Sequence, residues 1–330
     1  MEIQIVLLLL NKMNILITGC AGFIGFSLAR ELINHKKYNI IGVDNLNNIN
    51  DDLKLKKKKK RLIKKNIKFS RINLEDKLKL KKLFKKYKFQ SVVHLAAQPG
   101  VRLSITNPER YFDSNIKGYF NILDLSREFK VKHLVYASSS SVYGNQKTFP
   151  ILETNNTNIQ ESFYAISKKI GEVMSAYYSK MYLMKITSLR FFTVYGPYGR
   201  PDMAMFKFTE RIHQNKKINI YNKGKHIRDF TYISNIIHPL IKILTKKRKK
   251  LYDVYNLASS KPEKLKKYIS ELEKSFGKKA KKNYIDLQVG DVLKTAASTK
   301  KIDKFVGRFK KINISQGINL FVNWYKNYVK

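Results

Sequence analysis

The sequence predicts an α/β fold, a doubly wound parallel sheet with a smaller C-terminal α/β lobe, on three observations. Apolar runs of strand length alternate with stretches of helical period as far as residue 192. The first apolar run ends in a turn with three glycines, and the second ends in an aspartate. Beyond residue 200 the alternation breaks, which marks a second lobe.

The first run, Ile15, Leu16 and Ile17, reads as a fully buried parallel strand. Gly19, Gly22 and Gly25 follow, and Leu28, Ala29, Leu32 and Ile33 continue at helical spacing. A glycine turn between strand and helix lets backbone N–H groups and the positive helix end approach a pyrophosphate, where side chains would block it. The second run, Ile40-Ile-Gly-Val43, ends in Asp44, 19 residues beyond Gly25. A carboxylate there accepts hydrogen bonds from both ribose hydroxyls of the adenosine half of NAD and repels a 2′-phosphate. The expected architecture is therefore Rossmann-type, and the expected cofactor is NAD rather than NADP.

A polar loop over 45–52 leads into a lysine-rich helix, in which residues 56–60 are expected to form a solvated face. A third strand over 67–72 leads to Asn73 and Leu74, and a helix carrying Leu78, Leu83 and Phe84 precedes a fourth strand over 91–95. The small residues Ala96 and Ala97 then allow close backbone approach to a dinucleotide. One long helix over 106–129 and a fifth strand over 133–137 come next. Such sheets have right-handed crossovers and bind ligands beyond the carboxyl ends of their strands.

That rule directs attention to Ser138-Ser-Ser-Ser-Val-Tyr-Gly144, a run of four hydroxyls at a strand end. Some twenty residues on, Tyr164 and Lys168 stand at i and i+4, on one face of a helix. A phenol titrating near 10 is a base at neutral pH only when a nearby cation stabilises its phenolate, and Lys168 supplies that charge. A sixth strand over 186–192 leads into Thr193-Val-Tyr-Gly-Pro-Tyr-Gly-Arg-Pro-Asp202. A helix over 203–214, strands over 218–221 and 254–257, and helices reaching Trp324 form the smaller lobe. The expected division is a non-structural extension over 1–12, a dinucleotide-binding domain with the catalytic residues over 13–200, and a mainly substrate-binding lobe over 201–330, with elements interleaving across 228–257.

Charge is the oddity of the composition: 66 Lys and Arg against 24 Asp and Glu leave +42. The lysines recur on nearly every expected outer helix face and form no single stripe with interleaved aromatics, so no specific nucleic-acid site is expected. Weak, salt-sensitive adhesion to polyanions is. The single cysteine, Cys20, excludes an internal disulfide framework and a cysteine-rich zinc site, and suits a reducing cytoplasm. The six histidines form no metal-ligand pattern, and no metal is expected. Residues 1–12 hold an apolar run too short to span a bilayer, so no membrane insertion is expected, and the strand beginning at Met13 suggests that residue as the true start.

Six segments carry a family resemblance: Thr18-Gly-Cys-Ala-Gly-Phe-Ile-Gly25, His94-Leu-Ala-Ala-Gln-Pro-Gly-Val-Arg102, Tyr136-Ala-Ser-Ser-Ser-Ser-Val-Tyr-Gly144, Tyr164 with Lys168, Leu189-Arg-Phe-Phe-Thr-Val-Tyr-Gly-Pro-Tyr-Gly-Arg-Pro-Asp-Met203, and Arg228-Asp-Phe-Thr-Tyr232. Over residues 13–330 the chain resembles the extended short-chain dehydrogenase/reductases of the NAD-dependent epimerase/dehydratase family, and within them the UDP-glucuronate 4-epimerases. The resemblance implies a homodimeric cytoplasmic enzyme that inverts C4 of UDP-glucuronate through a transient 4-keto sugar. Ser139, Tyr164 and Lys168 take the catalytic roles. Gly19, Gly22, Phe23, Ile24, Gly25, Asp44, Asn73, Leu74, Ala96 and Ala97, with Tyr164 and Lys168, contact NAD. Ser140, Ser141, Thr193 and Arg200 hold the sugar carboxylate, while Arg228, Asp291 and Arg102 face the UDP. Asn73, Phe26, Pro99 and the pair Ser234-Asn235 depart from the family pattern, none of them at the expected chemistry.

Three related activities and one unrelated class stand as rivals. A nucleotide-sugar 4,6-dehydratase needs an Asp-Glu pair directly before Val-Tyr-Gly, where this chain has Ser140 and Ser141. A UDP-glucose 4-epimerase needs no carboxylate clamp, which makes Arg200 the discriminating residue. A UDP-glucuronate decarboxylase begins with the same oxidation. Against a non-catalytic NAD- or nucleic-acid-binding protein stands the complete set of Ser139, Tyr164 and Lys168.

Overall fold

In the computed structural model, residues 12–47, 49, 52–287 and 292–329 are described. The first half runs β1 (Met13–Thr18), α1 (Phe23–Ile33), β2 (Tyr38–Val43), α2 (Leu53–Lys64), β3 (Lys68–Ser70), α3 (Lys77–Tyr87), β4 (Ser91–His94), α4 (Val101–Thr106), α5 (Pro108–Tyr111), a π-helical turn (Phe112–Lys117), α6 (Gly118–Glu128) and β5 (His133–Ser139). The second half runs α7 (Phe163–Tyr182), β6 (Ile186–Phe191), β7 (Thr193–Tyr195), α8 (Ala204–His213), β8 (Ile218–Tyr221), β9 (Ile227–Arg228), β10 (Phe230–Tyr232), α9 (Ser234–Thr245), β11 (Tyr252–Leu257), β12 (Glu263–Lys264), α10 (Leu265–Phe276), β13 (Lys282–Ile285), α11 (Lys300–Val306) and α12 (Ile314–Tyr328). Two compact units share the chain in turns: one takes in the residues up to Ser139, Ser162–Leu189 and Leu240–Val254, the other Ser140–Glu161, Arg190–Pro239 and the residues from Tyr255 onward.

A seven-stranded sheet in the order β11-β6-β5-β4-β1-β2-β3 organises the first unit. β1 pairs in parallel with β2 and β4, β2 with β3, and β4 with β5. The doubly wound order follows from β1 sitting centrally with later strands added on either side. The strand expected over 254–257 as part of the smaller lobe begins at Tyr252 and closes one edge of this sheet. Its apolar pattern fits either placement, because a strand's partners are not encoded in its own periodicity. Leu16, Ile41, Val43, Phe84, Val92, Ile122 and Leu134 form the core beneath the helices. Each such side chain removed from water contributes about 1.5–3 kcal/mol.

Two helical expectations are corrected. The helix expected over 106–129 starts two residues later and is not α-helical throughout: Asn107, ahead of Pro108, takes φ −136° and ψ 61°, and from Pro108 to Glu128 the chain is continuously helical, with the π-helical turn between α5 and α6. A proline pushes the preceding residue out of the helical region. Nor are residues 56–60 uniformly solvated, since Lys56 is 8% and Lys59 0% exposed on the same face of α2 as Leu55 and Ile63. A lysine stem is four methylenes long and packs like an apolar side chain when its ammonium finds a partner; Lys56 Nζ lies 3.7 Å from Asp44 Oδ1.

The second unit gathers shorter pieces. β7 pairs in parallel with β10, β8 with β13, and β9 antiparallel with β12. Val142, Tyr143, Ile151, Phe192, Ala258 and Ala297 form one of its cores. Among the described residues, no helix is long and apolar enough to cross a membrane, and no group of His, Cys, Asp and Glu is placed to hold a metal ion. Residues 1–11 and Asp291 lie outside the described residues, so the expected extension and the expected ribose contact are not placed.

Candidate active site

β1 delivers the chain to Gly19, whose φ of +69° is a conformation side chains resist, and a Cβ there would come within 2.8 Å of the Ala96 backbone at the end of β4. A Cβ on Gly25 would collide with the Gly19 carbonyl, so α1 packs this close to β1 only with glycine. Gly22 N donates to Gly19 O at 2.9 Å, and no side chain caps α1 at Gly22. The first turn of α1, with Phe23 and Ile24, therefore presents backbone N–H groups beside the strand end. Cys20 is wholly buried against Gly42, where burial raises its thiol pKa, and it fills space.

Asp44 follows β2 and is 6% exposed. Its carboxylate accepts from Ala21 N at 3.1 Å and Leu46 N at 2.8 Å, which fixes it beside the glycine turn. Across the strand ends, Ala96 N donates to Thr18 Oγ1 at 3.2 Å. Leu74 is buried, its carbonyl accepting from Asn121 Nδ2 at 2.8 Å, whereas Asn73 and Arg102 are exposed. These residues fit a dinucleotide: a glycine cradle closed to any Cβ, an uncapped helix start, and an oriented carboxylate next to both.

α7 begins at Ser162, whose hydroxyl accepts from Ala165 N at 3.2 Å, a cap worth about 1 kcal/mol. Its first turn carries Tyr164, half-buried and edge-on to Tyr111 at 6.2 Å; its second carries Lys168. Lys168 is 3% exposed, and its Nζ donates to Ala137 O at 2.8 Å and lies 6.0 Å from the Tyr164 ring centre. Burial pulls its pKa down to about 7. Ser139, 7% exposed, ends the β5 strand that Lys168 grips. Gly171 makes this contact possible, because a Cβ there would overlap the Tyr136 hydroxyl.

Three supporting residues escaped the sequence reading. Asn115, in the π-helical turn and 2% exposed, accepts from Gln98 N at 2.7 Å and donates to Gln98 O and Ser167 Oγ, tying the Ala96–Gly100 segment to α7. Glu172, one turn beyond Lys168 and 4% exposed, accepts from Ser138 Oγ at 2.6 Å. His94 stacks on Tyr119 at 4.9 Å and shares a hydrogen bond with Thr18 Oγ1 at 2.9 Å; burial, then the Lys168 charge, push its pKa down to about 3. Only the i+8 spacing of Glu172 from Tyr164 was visible beforehand.

The residues expected to meet the sugar lie in the second unit. Ser140 and Ser141 form a 3₁₀ turn (Ser140–Tyr143), closed by Gly144 N donating to Ser141 O at 3.2 Å. Thr193 opens β7 opposite Phe230, two residues after Arg228. Arg228 pairs with Glu263 across the two short antiparallel strands. Asp229, wholly buried, accepts from Ser259 N at 2.8 Å and Ser260 N at 3.0 Å and so fixes the strand carrying Arg228. Arg200 makes a two-point contact with Asp202, Nε to Oδ1 at 2.9 Å and Nη2 to Oδ2 at 2.5 Å.

A parallel sheet with a glycine turn, an aspartate after its second strand and a tyrosine–lysine pair beside its fifth defines a Rossmann-type dinucleotide-binding protein. The NAD dependent epimerase/dehydratase family matches over residues 15–258. The chain is 42% identical over 334 residues to protein CapI of Staphylococcus aureus, covering 96% of this chain and 100% of that one. It is 40% identical over 319 residues to the UDP-glucuronate 4-epimerase of Thermodesulfobacterium geofontis, covering 96% and 97%. Its fold matches the crystal structure of a Bacillus cereus UDP-glucuronic acid 4-epimerase in complex with UDP-glucuronic acid and NAD, with TM-score 0.91, 30% identity, and coverage of 96% and 100%. The chain belongs to the NAD dependent epimerase/dehydratase family.

Proposed function

We propose that this chain is a UDP-glucuronate 4-epimerase that uses NAD and interconverts UDP-glucuronate and UDP-galacturonate. The observation that carries the uronate reading is Arg200, whose guanidinium already grips a carboxylate at two points. Similarity to UDP-glucuronate 4-epimerases over nearly the whole chain supports it.

NAD, when bound, supplies the acceptor for the C4 hydride and the donor that returns it to the other face of the sugar. Tyr164 takes the proton of the 4-hydroxyl and later gives it back, and the Lys168 ammonium stabilises its phenolate. Ser139 donates to the 4-oxygen as it becomes a ketone. The resulting keto acid carries its carboxylate β to the carbonyl, an arrangement that loses CO₂ when the carboxylate turns freely. Arg200, with Ser140, Ser141 and Thr193, holds that group, and a guanidinium fixes orientation as well as charge. Arg228, Arg102 and Asp291 are assigned to the uridine diphosphate; Gly19, Gly22, Gly25, Asp44, Ala96 and Ala97 to the dinucleotide. Residues 13–200 then serve mainly the cofactor and 201–330 mainly the nucleotide sugar.

The enzyme is assigned to the cytoplasm, in keeping with its free cysteine, and to a homodimer. The apolar side chains Phe120 on α6 and Val173, Tyr177 and Met181 on α7 are exposed at 41% to 57%, which suits a helix-to-helix interface. The activity is tested by incubating purified protein with UDP-glucuronate and, separately, with UDP-glucose, no cofactor added, and separating the products. UDP-galacturonate is expected. UDP-xylose would mean a decarboxylase, and conversion of UDP-glucose alone a neutral-sugar epimerase.

A further inference from the structure

We propose that Asp202 is a built-in stand-in for the substrate's carboxylate, holding Arg200 until a uronate displaces it, and so sets how strongly the site prefers uronates over neutral sugars. This rests on the reading of Arg200 as the carboxylate clamp.

The local sequence builds the pair. Pro201 presets the backbone for the second position of a tight turn, and Met203 N closes that turn on Arg200 O at 3.2 Å. The turn brings Asp202 back beside Arg200, and both carboxylate oxygens meet parallel N–H donors at 2.9 and 2.5 Å. A hexuronate carboxylate presents the same two oxygens at the same spacing and competes for the same donors.

Exposure decides that the pair is exchangeable. The two side chains are 23% and 30% exposed, so water and salt reach the pair and compete for both charges. A neutral sugar brings nothing to displace it, and Arg200 keeps its counter-charge. A uronate brings its own carboxylate, and its net gain is only the difference between two similar pairs. Asp202 therefore restrains uronate affinity while leaving neutral sugars untouched.

The test measures UDP-glucuronate and UDP-glucose affinity by calorimetry on the full chain with its cofactor, in a Tyr164→Phe background so that ligand is not consumed. Asp202→Asn and Asp202→Ala are each expected to tighten UDP-glucuronate about two- to fivefold and leave UDP-glucose unchanged. In an Arg200→Ala background the same changes should do nothing, since the competition is for Arg200. Weaker or unchanged UDP-glucuronate binding in both Asp202 variants, or equal tightening of both sugars, overturns the stand-in role alone. A chain with Arg200 and Asp202 intact that neither prefers nor epimerises UDP-glucuronate overturns the functional reading, and this inference with it.

Discussion

Lys168 Nζ stands 6.0 Å from the centre of the Tyr164 ring while donating to the Ala137 carbonyl at 2.8 Å. One ammonium thus lies next to the phenol and is anchored to the strand that ends in Ser139. The i, i+4 spacing on α7 sets the first contact, and close helix–strand packing over Gly171 sets the second.

If Tyr164 is the base, removing its hydroxyl removes the proton transfer and little else. Tyr164→Phe is expected to lower kcat about 10²- to 10⁴-fold while NAD remains bound, checked by initial rates alongside the cofactor content of the purified variant. Turnover at the unmutated rate would place the base elsewhere.

Proton count fixes the sign of the pH profile. The Tyr164–Lys168 pair works with one proton between two groups, and burial has brought Lys168 down to about 7. The first proton leaves the pair at or below that pH, so activity should climb as pH rises through the region just under 7. Lys168→Met removes the ammonium that favours the phenolate and should move this limb to more alkaline pH. A rate profile with the limb unmoved would remove Lys168 from the proton chemistry.

Glu172 holds Ser138 at 2.6 Å, directly before Ser139 in the chain. Ser138→Ala leaves a buried carboxylate short of a donor and should cost about 1–3 kcal/mol in urea denaturation. Glu172→Gln keeps a hydrogen bond and should cost less. An equal loss in Glu172→Gln would mean that the carboxylate's charge, and not the hydrogen bond alone, supports this contact.

Acid stability follows from two buried histidines. His94 and His133, the latter 3.1 Å from Thr187 Oγ1, both fall from 6.5 to about 3, chiefly by burial. Below 6.5 the unfolded chain binds protons that the folded chain refuses. Stability therefore declines between 6.5 and 3, by up to about 1.4 kcal/mol per pH unit for each histidine. His133→Gln should flatten the decline between about pH 6.5 and about pH 5, measured against the parent by denaturation. An identical slope would assign the acid sensitivity to other groups.

What was legible in the sequence was local. The β1 turn, Asp44 and the Tyr164–Lys168 spacing all lie within single strand–helix units, where period and glycine placement carry the signal. The edge position of β11 and the bond from Ser138 to Glu172 join distant segments and leave no periodic trace. Asn107-Pro108 did announce where the helix over 108–128 begins, whereas the π-helical turn inside it leaves no trace in the apolar pattern. The burial of Lys56 and Lys59 was hidden because lysine reads as solvent-facing unless its stem is considered.

The most direct test of the account follows the C4 hydrogen. With UDP-glucuronate deuterated at C4, the account predicts UDP-galacturonate that keeps deuterium at C4 and takes up no solvent hydrogen there, formed about 10²- to 10⁴-fold more slowly by Tyr164→Phe. Product carrying solvent hydrogen at C4, or undiminished conversion by Tyr164→Phe, would contradict it.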